Sequence, residues 1–276
     1  MGIIAALGVP ALKNLGKSNI QVSASRQMLD DIGHARQLAI SQHATVYMIF
    51  VPTNFFNLPC VYNGTPHPNL MVGIGAITSA ADRLAALTEL TNLVDKQLSG
   101  YNFISLGKVG DQPGQHAWHY LEDWKSLPEG SFIAAAKFLP PNSSTPIPQW
   151  QADYAGQIDN WLSLPPLQSQ IYGFAQQQIP FPTEQSPYAY LPCLAFDHTG
   201  KLISESDGVN GHHAYLPLAQ GTVSFGHDAN KQPTPTTVNP PDITEVPPGN
   251  SSSISYNVID IDPLTGRGKL LLHKIP

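Results

Sequence analysis

The stretch Gly2-Ile3-Ile4-Ala5-Ala6-Leu7-Gly8-Val9-Pro10-Ala11-Leu12 carries no charge, and its continuation does not end like a buried core helix. It runs through Lys13 and Lys17 into a polar, helix-forming segment. There Met28, Ile32, Ala35 and Ala39 recur at spacings of four, three and four, and Leu29, Arg36 and Ile40 form the adjoining row. That periodicity is one face of an α-helix. The spacing predicts a single helix from residue 2 to about residue 43, its first third apolar and the rest amphipathic. Pro10 is expected to kink it and Gly8 and Gly16 to loosen it. A helix that changes solvent partway is expected to be half in lipid and half against a soluble domain. Twelve apolar residues are short of the roughly 20 that span a bilayer. No basic region precedes them, and Ala6 stands where a myristoylation signal needs Ser or Thr.

Composition narrows the function classes. Of 276 residues only 12% are charged, well under the usual quarter or so, and the net charge is −6. No basic stripe is present to hold nucleic acid or an acidic membrane surface, so no nucleic-acid partner is expected. With 26 prolines, much of the chain must be turn and loop. Low charge with many Pro, Asn, Gln and Ser suits an extracytoplasmic protein. Cys60 and Cys193 could pair in an oxidising compartment or stand as two buried free thiols, and the sequence leaves both open.

Downstream, Thr45–Val51 reads as a strand and 53–78 as loop. Residues 79–99 read as a second helix, with Ser79 as N-cap, Asp82 three residues on, and Gly100 as the stop. Phe103–Val109, Phe132–Phe138, Leu191–Phe196, Lys201–Ile203, Thr222–Phe225, Ile254–Ile261 and Gly268–Lys274 read as strands. Residues 139–192, with ten prolines, read as an insertion carrying short helical pieces near 149–162 and 167–178. Residues 226–253, with six prolines, read as a second, loop-like insertion. Consecutive strands joined by tight turns imply an antiparallel sheet, and the expected class is α+β, with an extra helix and Pro-rich insertions. The expected division is a helix, 1–43, with 1–12 as half of a membrane segment, and a head domain, 44–276.

Four segments carry a resemblance. The first is the N-terminal helix, GIIAALGVPAL followed later by Ala35-Arg36-Gln37-Leu38-Ala39-Ile40. The others are Leu127-Pro128-Glu129-Gly130, then Phe196-Asp197-His198-Thr199-Gly200-Lys201, then Thr265-Gly266-Arg267. Together, in this order, they resemble type IV pilins and type II secretion pseudopilins, and among them the GspH/FimT-like minor pseudopilins. The resemblance implies a long helix packed on an antiparallel sheet domain, and an assembly function without catalysis. It implies an assembly helix through Ile3, Ile4, Leu7, Val9, Pro10 and Leu12, with other pilin or pseudopilin subunits as partners. For the full-length form it implies prepilin methylation, a prepilin peptidase, an inner-membrane assembly platform, and a single-pass bacterial inner-membrane location with the head in the periplasm or on a filament. The family's basic leader, cleavage site, phenylalanine and glutamate have no counterpart here; the chain starts partway through that helix, by a late start codon or by trimming.

Chemistry finds little purchase in the sequence. There is no nucleophile elbow, P-loop or dinucleotide-binding glycine pattern. His116 and His119 lack the convergent partners of a metal site, as do the adjacent His212 and His213. Asp30-Asp31 and Asp260 with Asp262 read as solvated faces of a helix and a strand. No catalytic residue, metal or cofactor is expected. A second reading makes the chain a surface-anchored or secreted domain that stacks polysaccharide on Trp118, Trp124, Trp150 and Trp161, which requires those rings to be exposed.

Overall fold

The computed structural model describes residues 3–107, 109–111, 117–139, 144–146, 170–203, 213–227, 240–251 and 257–272. For 3–19, 144–146, 170–172 and 272 only the backbone course is described. In chain order the elements are α1 (Ile3–Gln42), β1 (Thr45–Phe50), β2 (Cys60–Tyr62), β3 (Thr65–His67), α2 (Leu70–Gly75), α3 (Ala80–Val94), β4 (Gly100–Leu106), β5 (Trp118–Tyr120), β6 (Lys125–Ser126) and β7 (Ser131–Ile133). They continue with β8 (Ser144–Pro146), β9 (Gln170–Tyr172), β10 (Ala175–Pro180), β11 (Tyr188–Phe196), β12 (Ala214–Ser224), β13 (Asp242–Glu245), β14 (Asn257–Ile261) and β15 (Gly268–Leu272).

α1 is one uninterrupted helix of 40 residues, and the break foreseen at Pro10 is not seen in its hydrogen-bonded course. At 1.5 Å per residue it is about 60 Å long. Its predicted face is buried: Ala24, Met28, Ile32, Ala35 and Ala39 are fully enclosed, and Leu29, Arg36 and Ile40 are half-buried beside them. α3 begins as predicted, Ser79 accepting from Asp82 N, but it ends at Val94, and Gly100 instead opens β4.

The α+β class is overturned. The chain is mostly β, 36% strand against 27% helix, in two antiparallel sheets with one long helix. The physical reason lies in the proline-rich stretches. β10 falls where a helical piece was expected at 167–178, and it pairs with β11 over Ala175–Pro180. Gln-rich alternation with Ile179 inward suits a strand as well as a helix, and the β11 partner decides. Thus part of the expected 139–192 insertion is central sheet, with Ile179, Phe181, Ala189 and Leu191 buried. Likewise β13 lies inside the expected 226–253 loop, paired to β12. Conversely, Phe132–Phe138 is strand only to Ile133 and then turns into a 3-10 helix. α2 lies inside the expected 53–78 loop, capped by Asn69, which accepts from Val72 N. The helical piece expected near 149–162 lies outside the described residues.

The larger sheet runs β3-β2-β11-β1-β4-β5, with β10 and β6 attached to β11 and β4. The smaller runs β13-β12-β14-β15, with β7 attached to β12. Alternation divides β1 between two cores. Val46, Met48 and Phe50 join α1 and the inner face of the smaller sheet (Leu216, Leu218, Ile259, Ile261). Ile49 and Val51 join α2 and α3 through Ile74, Leu90 and Leu93. α1 therefore covers both sheets at once, and removing it would open the larger of the two cores to water.

Candidate functional site

The second half of α1 sits in a seat made of polar clasps around an apolar centre. At the first clasp, Asp31 is 8% exposed rather than solvated as expected. Tyr101 Oη donates to Asp31 Oδ2 at 2.5 Å, and Lys125 Nζ donates to Asp31 Oδ1 at 2.9 Å. Gln27 Nε2 donates to Tyr101 Oη at 2.7 Å and to the Ser126 carbonyl at 2.9 Å. Lys125 also pairs with Glu122 at 2.7 Å, and Glu122 meets His34 Nε2 at 2.5 Å. The buried carboxylate is thus satisfied by two donors, as a low-dielectric site requires. Burial, then the Asp31 hydrogen bond, pushes the Tyr101 phenol far above its ordinary range. For Glu122, burial acts upward, but the hydrogen bonds from Lys125 and His34 outweigh it and hold the carboxyl below its usual value. Burial likewise opposes charge on Lys125, and Glu122 and Asp31 overcome it, raising the ammonium.

At the second clasp, two Asp-to-Gly turns meet over Arg36. Asp197 Oδ1 accepts from Thr199 N (2.8 Å), Thr199 Oγ1 (2.6 Å) and Lys201 N (3.0 Å). Asp262 Oδ1 accepts from Thr265 N (2.7 Å) and Thr265 Oγ1 (2.9 Å). A short polar side chain that bonds backbone just ahead of it fixes such turns. Leu202 N donates to the Pro263 carbonyl at 3.0 Å, joining the two hairpins. Arg36 Nε donates to the Thr265 carbonyl at 2.7 Å. Gly200 (φ +83°) and Gly266 (φ +63°) occupy the left-handed region, and both lie against Arg36. At the third clasp, Gly130 of the Leu127–Gly130 turn (φ +84°) lies where a Cβ would be 3.8 Å from Ile20 Cδ1. Its carbonyl accepts from Gly221 N at 3.0 Å. The helix segment around Arg36 and the three downstream motifs, far apart in sequence, therefore converge on one helix.

The expected assembly residues Ile3, Ile4, Leu7, Val9, Pro10 and Leu12 lie on the continuous backbone of α1, and their side chains are outside the described residues. Cys60 and Cys193 are both free and buried. Cys60 pairs with Ala189, four residues from Cys193 along β11, so about 13 Å separates the two along the strand. That is beyond the roughly 7 Å reach of a disulfide, and the pairing left open by the sequence does not form within one chain. Burial pushes the Cys193 thiol up to about 12 and raises Cys60 as well. Asp260, expected on a wet strand face, is 4% exposed and pairs with His213 Nδ1 (2.5 Å) and Lys269 (3.0 Å). The two adjacent β14 neighbours and the His213 ring cover it, which alternation alone does not reveal. Trp118 and Trp124 are half-buried, packed on Tyr47 and on Phe181, so they form no open platform. Trp150, Trp161, His116 and His212 lie outside the described residues. Among the described residues no cluster of His, Cys, Asp or Glu is placed to hold a metal, and no helix is long and apolar enough to cross a membrane.

Sequence reasoning missed one feature. A cleft of about 740 Å³ opens between the second half of α3, the β5–β6 connection and the Pro182–Glu184 turn. Tyr120 and Trp124 line it, together with Glu89, Asp95, Asp123 and Glu184, residues that share no sequence spacing. No family model, curated protein or solved structure matches the chain.

Proposed function

We propose that the chain is a structural subunit of a type II secretion or type IV pilus-like filament, akin to the GspH/FimT-like minor pseudopilins, and works by helix-mediated assembly without catalysis. The observation that carries this reading is the convergence of the four resembling segments on α1. Arg36 of the helix grips the Thr265 carbonyl, Gly200 and Gly266 close over Arg36, and Gly130 abuts Ile20. These motifs serve to hold one helix firmly on the head while the same helix continues, uncharged, back to Ile3.

In this reading the apolar part of α1 is anchored in the bacterial inner membrane and is later packed against neighbouring helices, where apolar burial replaces lipid. Gly2, Ala5, Ala6, Gly8 and Ala11 allow close backbone approach. Residues Ile3–Leu12 cover about 15 Å of helix, half of a bilayer core. The reading therefore expects further apolar residues ahead of Met1 in the protein made by its own cells. Partners are other subunits through α1, an inner-membrane assembly platform, and a prepilin peptidase.

The test is mass spectrometry of the amino terminus of protein purified from its native cells. The expected result is an upstream extension starting at an N-methylated phenylalanine with a glutamate shortly after, recovered with membranes or filaments. A native chain that begins at Met1 or Gly2 and stays in the soluble fraction overturns the reading.

A further inference from the structure

The cleft beside α3 lies on the face of the larger sheet opposite α1, so its role does not depend on the assembly reading. Asn102 of β4 lines it and is 1% exposed. Its Oδ1 accepts from Phe103 N at 2.7 Å, which fixes the orientation of the amide, since a backbone N–H donates to the oxygen and not to the NH2 group. The Nδ2 group is left without a partner among the described residues. An unmet donor in so enclosed a place calls for an acceptor brought from outside.

The rest of the cleft sets the other requirements. Lys96 is its only cationic lining residue, and its ammonium is committed to the Trp124 carbonyl at 2.9 Å. Opposite stand carboxylates with spare capacity. Asp95 is 57% exposed with one His227 nitrogen at 3.5 Å, Asp123 is exposed, and Glu184 uses one oxygen for Tyr120 N at 2.9 Å. Glu122 is already held by Lys125 and His34 and adds little. Trp124 and Tyr120 supply aromatic surface between the carboxylates and Asn102. An occupant must therefore offer a hydrogen-bond acceptor, an apolar stem and a cation.

We propose that this cleft binds an extended, arginine- or lysine-bearing segment of a partner protein. A backbone carbonyl of the segment accepts from Asn102 Nδ2, the aliphatic part of the basic side chain lies against Trp124, and its cation sits among Asp95, Asp123 and Glu184. A polyamine satisfies the carboxylates but brings no acceptor for Asn102. A metal ion is not served, because no three ligands converge among the described residues.

The test is calorimetric titration of the whole chain with acetyl-Gly-Arg-Ala-Arg-Gly-amide, its Glu-for-Arg counterpart, spermidine and a chitosan trimer. The Arg peptide is expected to bind with Kd at or below about 1 mM, and the Glu peptide not at all. Asp95→Asn with Asp123→Asn, both on exposed side chains, is expected to weaken the Arg peptide about tenfold. The control pair Asp30→Asn with Asp242→Asn, away from the cleft, leaves it unchanged. Asn102→Asp keeps the oxygen for Phe103 N, removes both donors and adds a negative charge; peptide binding falls while spermidine binding holds or rises. No binding of the Arg peptide, equal weakening by the control pair, or tighter peptide binding by Asn102→Asp each overturns the proposal. A chitosan trimer or spermidine that binds more tightly than the peptide overturns the choice of a peptide.

Discussion

Two glycine-to-alanine substitutions should move stability in opposite directions. Gly266 lies at φ +63° in the turn gripped by Arg36, and a Cβ there would overlap the Gly200 carbonyl oxygen and stand 3.2 Å from Phe196 Cδ1 and 3.3 Å from Arg36 Cδ. Holding alanine in the left-handed region costs about 1–2 kcal/mol. Parting two hydrogen-bonded hairpin turns to admit the methyl group adds about 1–3 kcal/mol, the usual toll of overpacking. Gly266→Ala should therefore destabilise by about 2–5 kcal/mol, a fall in Tm of about 5–15 °C for a chain of this size. Gly33 is on the exposed side of α1, and nothing lies within 4 Å of its would-be Cβ. Gly33→Ala should stabilise by about 0.5–1 kcal/mol, because alanine loses less backbone freedom in a helix. Thermal unfolding followed by circular dichroism at matched scan rates reads both. A Gly266→Ala Tm within a degree or so of wild type, or a fall for Gly33→Ala, would refute the argument that the Gly200–Gly266 contact seats α1.

Lys125→Met strips Asp31 of its cation. Breaking a buried pair costs about 3–5 kcal/mol, and the partly exposed Lys125 head lowers this to about 1–3 kcal/mol, read as a lower urea midpoint with faster amide exchange in α1. Adding Asp31→Asn should recover part of that loss, since the two residues are coupled. Acid should weaken the second clasp. Burial raises the Asp197 and Asp262 carboxyls, but their Thr hydrogen bonds win and hold both below the ordinary value. Their stabilisation is thus present above the unfolded aspartate range near pH 3.9 or so, and is lost as pH falls through the lower folded values. Asp197→Asn with Asp262→Asn should flatten the acid limb of a stability–pH curve while leaving its alkaline limb in place. Cys60 and Cys193 should both count as free thiols, inert to a disulfide reagent at mildly alkaline pH and reactive once the chain is unfolded in denaturant. A disulfide-linked mass for the monomer would contradict the register of β2 on β11.

α1 was legible because helical periodicity is a local property: Met28, Ile32, Ala35 and Ala39 announce one face whatever they pack against. Ser79 as a cap and the Asp197–Gly200 and Thr265–Gly266 turns were legible for the same reason, each being a short-range bond between near neighbours. The class was not. β10 and β13 sit in proline-rich runs with weak alternation, and only pairing with β11 and β12, distant or separated by loops, commits them to sheets. Asp31 and Asp260 read as solvated because a pattern along one element says nothing of the lysine, tyrosine or histidine that another element lays over it. The cleft depends on the same long-range placement, with Asn102 from a central strand facing acids from a helix and two connections. The sequence by itself determined the long helix, its buried face and the turns that grip it, because hydrogen bonds and side-chain spacing within a few residues suffice. Only the tertiary structure decided the balance of sheet over helix, the two cores on either side of β1, the separation of the cysteines and the site beside α3, because each of these is a contact between residues that the chain alone keeps far apart.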